Sequence, residues 1–447
     1  MTAARRVLLG VNLQGFGQRP AAWRVQDVHP TDLIGPEFWA DLGRIAERGR
    51  LDAVFFADNP SLGDPNVRAL GLIEPFTALQ AIADATENLG LVGTASTTYN
   101  DPVELAERLL SLDLVSGGRV AWNAVTTYNP AVSGNFGVSG NPDRTTRYAR
   151  AAEFVDVVTR LWATSGTGRR VDYTGDHVEV HAGLDVPRSA QGQPVVFQAG
   201  GSDQGRDLAA RFAEGVFSVE LTLDAAVENR RLLRAAAASH GRDPDDVRIV
   251  PGLSIVLGST EQEANDLYDS LEALAPDGYA EHALSSYLDV DVTTLDPAQP
   301  IPPEYLDRPF DENTYGASVG YRRTVTRWVR ENNTSVRALV RGFGGYGARI
   351  VVGTPEQVAD SIETWFHAGA ADGFNLMVDR FPTGLAEIVD HVIPLLQERG
   401  LFHREYEEPT LRGRFRTASA VPARASASVS ASAADLAPGA APERMSR

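Results

Sequence analysis

Eight times along this chain a short apolar, β-rich run gives way to a polar turn and then to a stretch whose apolar residues recur at helical spacing. The runs fall at residues 7–13, 53–57, 89–96, 117–125, 194–198, 215–219, 247–257 and 373–378. A strand followed by a helix crosses over and returns parallel, and helices then cover the sheet. Eight such units are the number that closes a (β/α)8 TIM barrel, in which the ligand sits at the C-terminal ends of the strands. A doubly wound open sheet competes, but its glycine-rich turn ordinarily follows the first strand. Here that turn follows the fifth run, so the barrel is the expectation.

Local signals agree with this alternation. Residues 37–48 place Phe38, Leu42, Ile45 and Ala46 on one face and stop at Gly49, which is how an amphipathic helix ends. Asp101-Pro-Val-Glu104, Thr260-Glu-Gln-Glu263 and Thr354-Pro-Glu-Gln357 each pair a capping residue with an acid or amide three places on, the signature of a helix start. Around Gly175-Asp176, within 163–193, the pattern predicts a small inserted hairpin. From about 275 to 347 the alternation lapses into a stretch rich in Pro, Asp, Tyr and Gly. So long an interruption in a compact domain suggests a lid or binding element, whose Tyr279, Tyr287, Tyr305, Tyr315, Tyr321, Phe343 and Tyr346 either line a pocket or pack among themselves. The reading is one barrel domain over 1–416, followed by an Ala-, Ser- and Pro-rich tail, 417–447, expected to be disordered.

Composition narrows the function classes. The 447 residues are 43% hydrophobic, ample for a large core. Forty-one basic against 59 acidic side chains leave a net charge of −18, which argues against a general nucleic-acid binder. No apolar run of about 18 residues and no secretory leader stand out, so the expectation is a cytoplasmic protein without a membrane span. Zero cysteines exclude disulfides, thiolate metal ligands and a cysteine nucleophile. The histidines lack metal-ligand spacing, and neither a Gly-x-Ser-x-Gly elbow nor a Walker loop is present; no metal is expected, and the common hydrolase readings fall away.

Polar residues collect where the runs end. Asp58, the hydroxyl cluster Thr94, Ser96, Thr97 and Thr98, and Asn123 all sit at such tips. Gln198-Ala-Gly-Gly-Ser-Asp-Gln-Gly205 leads from the fifth run into a helix-like segment. Glycines admit a ligand close to the backbone, and free N–H groups at a helix start attract an anion. Gly200, Gly201 and Ser202 therefore read as a phosphate cradle, or as a plain turn in which Ser202 caps the helix. His29, in the first loop, is the histidine nearest this face and a weak candidate acid or base; it reads equally as a solvated loop residue.

Phe55-Phe-Ala-Asp58, Thr94-Ala-Ser-Thr-Thr-Tyr99, Ser116-Gly-Gly-Arg-Val-Ala-Trp-Asn-Ala-Val-Thr126, Arg147-Tyr148 with Ala152-Glu-Phe154, Pro187-Arg-Ser-Ala-Gln-Gly192, Gln198 to Ser202 and Asp372-Gly-Phe-Asn-Leu376 occur in order. Through them the chain, from about 7 to 412, resembles the bacterial-luciferase-like flavin monooxygenases, and within these the nitrilotriacetate monooxygenase component A group. The resemblance implies a barrel that takes reduced FMN from a separate NAD(P)H-dependent flavin reductase. It also implies oxygenation of a small organic substrate with O2 through a flavin C4a-peroxide, and a homodimer or homotetramer. Asp58, a hydroxyl among Thr94 and Ser96, Tyr148 and Ser202 match flavin-contacting positions. The family's usual histidine, four residues before that tyrosine, is here Arg144, a fixed cation suited to a phosphate. Ser202, the backbone of 200–205 and Arg144 would then hold the phosphate, with Asp58, Thr94, Asn123 and Tyr148 along the ring and ribityl chain. Two alternatives remain: a deazaflavin-dependent oxidoreductase of the same superfamily, and a barrel that binds flavin without catalysis.

Overall fold

The computed structural model of this protein describes residues 5–20, 22–25, 28–62, 73–313, 315, 318–343 and 348–417. Its strands are β1 (Leu8–Asn12), β2 (Ala53–Phe56), β3 (Gly90–Ser96), β4 (Val120–Val125), β5 (Val171–Thr174), β6 (Glu179–Ala182), β7 (Val195–Gln198), β8 (Gly215–Ser218), β9 (Arg248–Leu257), β10 (Arg349–Gly353) and β11 (Gly373–Val378). Every one of the eight expected runs contains a strand. β1, β2, β3, β4, β7 and β8 pair in that order, β9 joins β8 to β11, and β11 returns to β1. All these pairings are parallel, so the sheet closes on itself as a (β/α)8 barrel and the open-sheet alternative is excluded. β5 and β6 form the expected antiparallel hairpin.

The two-residue period of a strand sorts the side chains. Leu8, Ala53, Phe55, Val92, Ala121, Val195, Phe197 and Val250 form the interior of the ring. Their chain neighbours Leu9, Val54, Leu91, Val120, Trp122 and Val196 point out into the layer beneath the helices. Continuing the inward set toward the strand tips changes its chemistry: Leu8 leads to Asn12, Val92 to Thr94, and Ala121 to Asn123. The opposite end is closed by the C-terminal helix Leu411–Thr417, whose Leu411 and Phe415 join the interior cluster, with Phe415 set edge-on to Phe197 at 5.5 Å.

Three features depart from the alternation read in the sequence. The interruption after β9 holds the helices Tyr279–Leu288, Pro303–Leu306, Val319–Asn332 and Val336–Phe343. They pack on a core of their own, including Leu284, Leu288, Tyr321, Val325, Val329 and Leu339, anchored to the barrel through Leu221. β10 is an additional strand: it pairs with β9 from Leu253 to Leu257, on the edge that β8 has left after Pro251. The helix expected over 385–399 is broken by a π turn, Ile388–Val392, immediately before Pro394, whose ring nitrogen cannot donate to the turn behind it. Residues 417–447, expected to be disordered, lie outside the described residues apart from the end of the last helix. No helix among the described residues is long and apolar enough to cross a membrane.

Candidate functional site

At the C-terminal end of the ring lies a cavity of about 520 Å³. Strand alternation brings the polar side chains of Asn12, Thr94, Asn123 and Asn375 into its lining, together with Phe55, Phe217 and Met377. Asn123 Nδ2 donates to Thr94 Oγ1 at 2.9 Å. Among the described residues Asn12 Oδ1, Asn123 Oδ1 and both polar side-chain atoms of Asn375 have no hydrogen-bond partner, although all three residues are buried. Buried amides left unpaired cost stability, and Asn12, Asn123 and Asn375 are all lining residues of this one cavity.

One wall is the cradle. Gly200, Gly201 and Ser202 line the cavity, and the helix Asp203–Phe212 begins directly behind them. Ser202 does cap that helix, its Oγ accepting from Gly205 N at 3.0 Å. The cap uses a lone pair and one N–H, so the hydroxyl proton and the remaining free amides of the first turn are still available to an anion. Cap and cradle are thus the same structure. A side chain at 200 would be crowded: a Cβ on Gly200 would lie 2.5 Å from Gln198 Nε2 and 3.0 Å from both Gly205 Cα and the Tyr148 hydroxyl.

The second wall is the first turn of the helix Arg144–Thr164, which presents Arg144, Arg147 and Tyr148. Arg144 is buried and paired with Glu312 at 2.7 Å, and its guanidinium lies 5.8 Å from the Tyr148 ring centre. Asp58 is the one carboxylate among the described lining residues. Its side chain is open to the cavity, yet the protein crowding around it, and to a lesser degree the Glu74 charge, push its pKa up to about 6. Tyr315, Ser318, Val319 and Gly320 complete the lining from the helical segment between β9 and β10.

Of the residues singled out in the sequence, Asp58, Thr94, Asn123, Arg144, Tyr148, Gly200, Gly201 and Ser202 come together around this cavity. Ser96 does not: its Oγ receives the Thr98 N–H and the Thr127 hydroxyl, so it stitches a turn. Thr97 and Thr98 likewise donate to the Val125 and Thr126 carbonyls. His29 is also elsewhere, exposed, as the cap of a short helical turn with Nδ1 against Thr31. Asn12 and Asn375 were missed, although each is an amide on a strand near its tip, the same signal that picked out Asn123. Among the described residues no cluster of His, Asp or Glu could hold a metal ion.

A closed parallel barrel with a glycine-rich helix start beside the tip of its fifth ring strand, and polar side chains gathered at the same end, has the form of a barrel enzyme with its site at the strand tips. Comparison with known proteins says which. The profile of the family described as luciferase-like monooxygenase matches residues 21–373. The chain is 36% identical to N-acetyl-S-(2-succino)cysteine monooxygenase of Bacillus subtilis (strain 168), over 92% of this chain and 96% of that protein. It is 35% identical to nitrilotriacetate monooxygenase component A of Aminobacter aminovorans, with the same coverage. The solved structure of EDTA monooxygenase from Chelativorans sp. BNC1 superposes with a TM-score of 0.78 at 34% identity, covering 92% of this chain and 98% of that one. The chain belongs to the luciferase-like monooxygenase family and is a flavin-dependent monooxygenase.

Proposed function

We propose that this chain is the oxygenase component of a two-component system: it takes reduced FMN from a separate NAD(P)H-dependent reductase and uses O2 to oxygenate a small, uncharged organic molecule. The reading is carried by one observation, the meeting of the glycine cradle and the unpartnered amides in a single cavity of about 520 Å³. FMN has the matching parts, an anionic tail and a flat ring with hydrogen-bonding edges. Ser202, the first-turn amides and Arg144 are suited to the phosphate; Asp58, Thr94, Asn123 and Tyr148 to the ring and ribityl chain. Bound and reduced, FMN supplies the oxygen chemistry, while the protein binds it, orients it and excludes water. The segment between β9 and β10 supports the last role, since Tyr315 and Val319 roof the cavity. Asp58, with its pKa near 6, can hold or release a proton at its carboxylate under working conditions. That one relative is named as a component A supports the separate reductase.

The charge of the substrate follows from where the cations are. Among the described lining residues these are Arg144 and Arg147, both beside the cradle. Arg24 donates to the Leu274 carbonyl, Arg322 to that of Leu288, Arg323 to Asp203 and Glu312, and Arg341 to Asp269. None of them lines the cavity. A polycarboxylate would thus bury its charges against amides, which is costly, whereas a neutral molecule fits Phe55, Phe217 and Met377. The test is anaerobic titration with reduced FMN and with reduced deazaflavin, followed by admission of ¹⁸O₂ with neutral and polyanionic candidate compounds. FMN binding and a neutral product carrying one ¹⁸O atom are expected. Binding of deazaflavin alone, or hydrogen peroxide release that no compound alters, defeats the proposal.

A further inference from the structure

A third helix begins at this cavity. Besides Arg144–Thr164 and Asp203–Phe212, the helix Val319–Asn332 opens there, with Ser318, Val319 and Gly320 in the lining and Ser318 Oγ accepting from Tyr321 N at 3.3 Å. Its start touches the cradle backbone to backbone: a Cβ on Gly320 would lie 2.7 Å from both the Cα and the carbonyl carbon of Gly201. Contact this close requires glycine at 320. It brings the positive end of a second helix dipole close to that of Asp203–Phe212.

Two juxtaposed helix starts repel one another unless something negative lies between them, and the surrounding charges point the same way. Arg147 is 7% exposed, lines the cavity, and among the described residues has no hydrogen-bond partner at Nε. Arg144 and Arg323 bracket Glu312 at 2.7 and 2.5 Å, while Arg323 and Arg206 share Asp203 at 3.2 and 2.9 Å. Among the described lining residues Arg144 and Arg147 are the cations, and a phosphate monoester is a group that arginines bind through charge-assisted hydrogen bonds.

We propose, resting on the FMN reading above, that the start of the 319–332 helix is the second jaw of the phosphate site. Ser318 and the N–H groups of Val319 and Gly320 bind the phosphate opposite Gly201 and Ser202. The phosphate, not the ring, is then what steadies the start of this helix against the barrel. Riboflavin, which has the same ring and no phosphate, binds without engaging it.

The experiment uses the full chain with FMN and with riboflavin. In the unaltered protein FMN slows amide hydrogen exchange over 319–323 and riboflavin does not. Gly320→Ala, whose methyl forces the helix off Gly201, weakens FMN about tenfold and leaves riboflavin affinity unchanged. Equal protection by both flavins, or a variant that weakens both or neither, overturns the proposal. Because the exchange measurement needs no mutant, it decides the matter even if Gly320→Ala fails to fold. Failure of the unaltered protein to bind either flavin is a different result, and defeats the FMN reading itself.

Discussion

Replacing Ser202 with aspartate separates the two roles this residue combines. Aspartate is as good a helix cap as serine, so the Gly205 N–H, now held by Ser202 Oγ at 3.0 Å, keeps an acceptor. Folding stability should therefore stay within about 0.5 kcal/mol of the parent. The cradle, however, acquires a fixed negative charge where the phosphate belongs. Two unit charges about 4 Å apart repel by about 4 kcal/mol at an effective dielectric constant of about 20. With part of that absorbed by Arg144 and Arg147, about 2.7 kcal/mol remains, a loss in FMN affinity of about a hundredfold. Riboflavin should bind as before. Ser202→Ala gives the complementary pattern, with about 1 kcal/mol of stability lost with the cap and a smaller loss of FMN affinity. Flavin fluorescence titration and thermal melts of the three proteins read all these quantities. If Ser202→Asp binds FMN as tightly as the parent, the phosphate lies elsewhere and the site has been assigned to the wrong loop.

Other consequences can be checked as directly. Burial pushes the Glu220 carboxyl up to about 7, against an ordinary 4.5, despite its hydrogen bond from Asn229 at 2.7 Å. A carboxyl whose pKa rises on folding costs stability as pH climbs from about 4.5 through 7. Glu220→Gln should therefore raise the thermal midpoint at pH 8, by an effect of roughly 2 kcal/mol, and change nothing at pH 4; equal shifts at both pH values refute this. Phe415→Ala opens the closed end of the ring and should cost about 3–5 kcal/mol in denaturant unfolding, with flavin affinity retained once folded. His29→Ala should leave FMN affinity and oxygenation rate at the parent's values, and a drop in rate would return that residue to the site.

Most of the barrel was readable because strands buried on both faces leave continuous apolar runs, and their helices leave caps. Thr354 and Gln357 make the reciprocal hydrogen bonds their spacing predicts. Thr260 caps its helix too, but Glu263 reaches back to Ser259 rather than to the cap. The helix Val319–Asn332 escaped notice although Tyr321, Val325 and Val329 repeat every fourth residue, because Gly320 and a scatter of arginines blur the pattern. β10 escaped because its five residues carry little periodicity and exist as a strand through an edge that β8 vacates. Ser96 misled for a geometric reason. It follows Thr94 by two places, so it shares that residue's inward side, but it lies at the end of the strand, where the next turn takes its hydroxyl.

The separate core beneath the cavity's roof has a consequence for how this molecule can change. Leu284, Val325, Val329 and Leu339 cohere without the side chains that hold the ring together. Exchanging what Tyr315 or Val319 shows to the ligand therefore disturbs a small local assembly and leaves the scaffold unaltered. Selection of what enters can therefore be retuned by a library within 279–343 that keeps Ser318 and Gly320, which belong to the grip on the phosphate, with little effect on the barrel's own share of that grip.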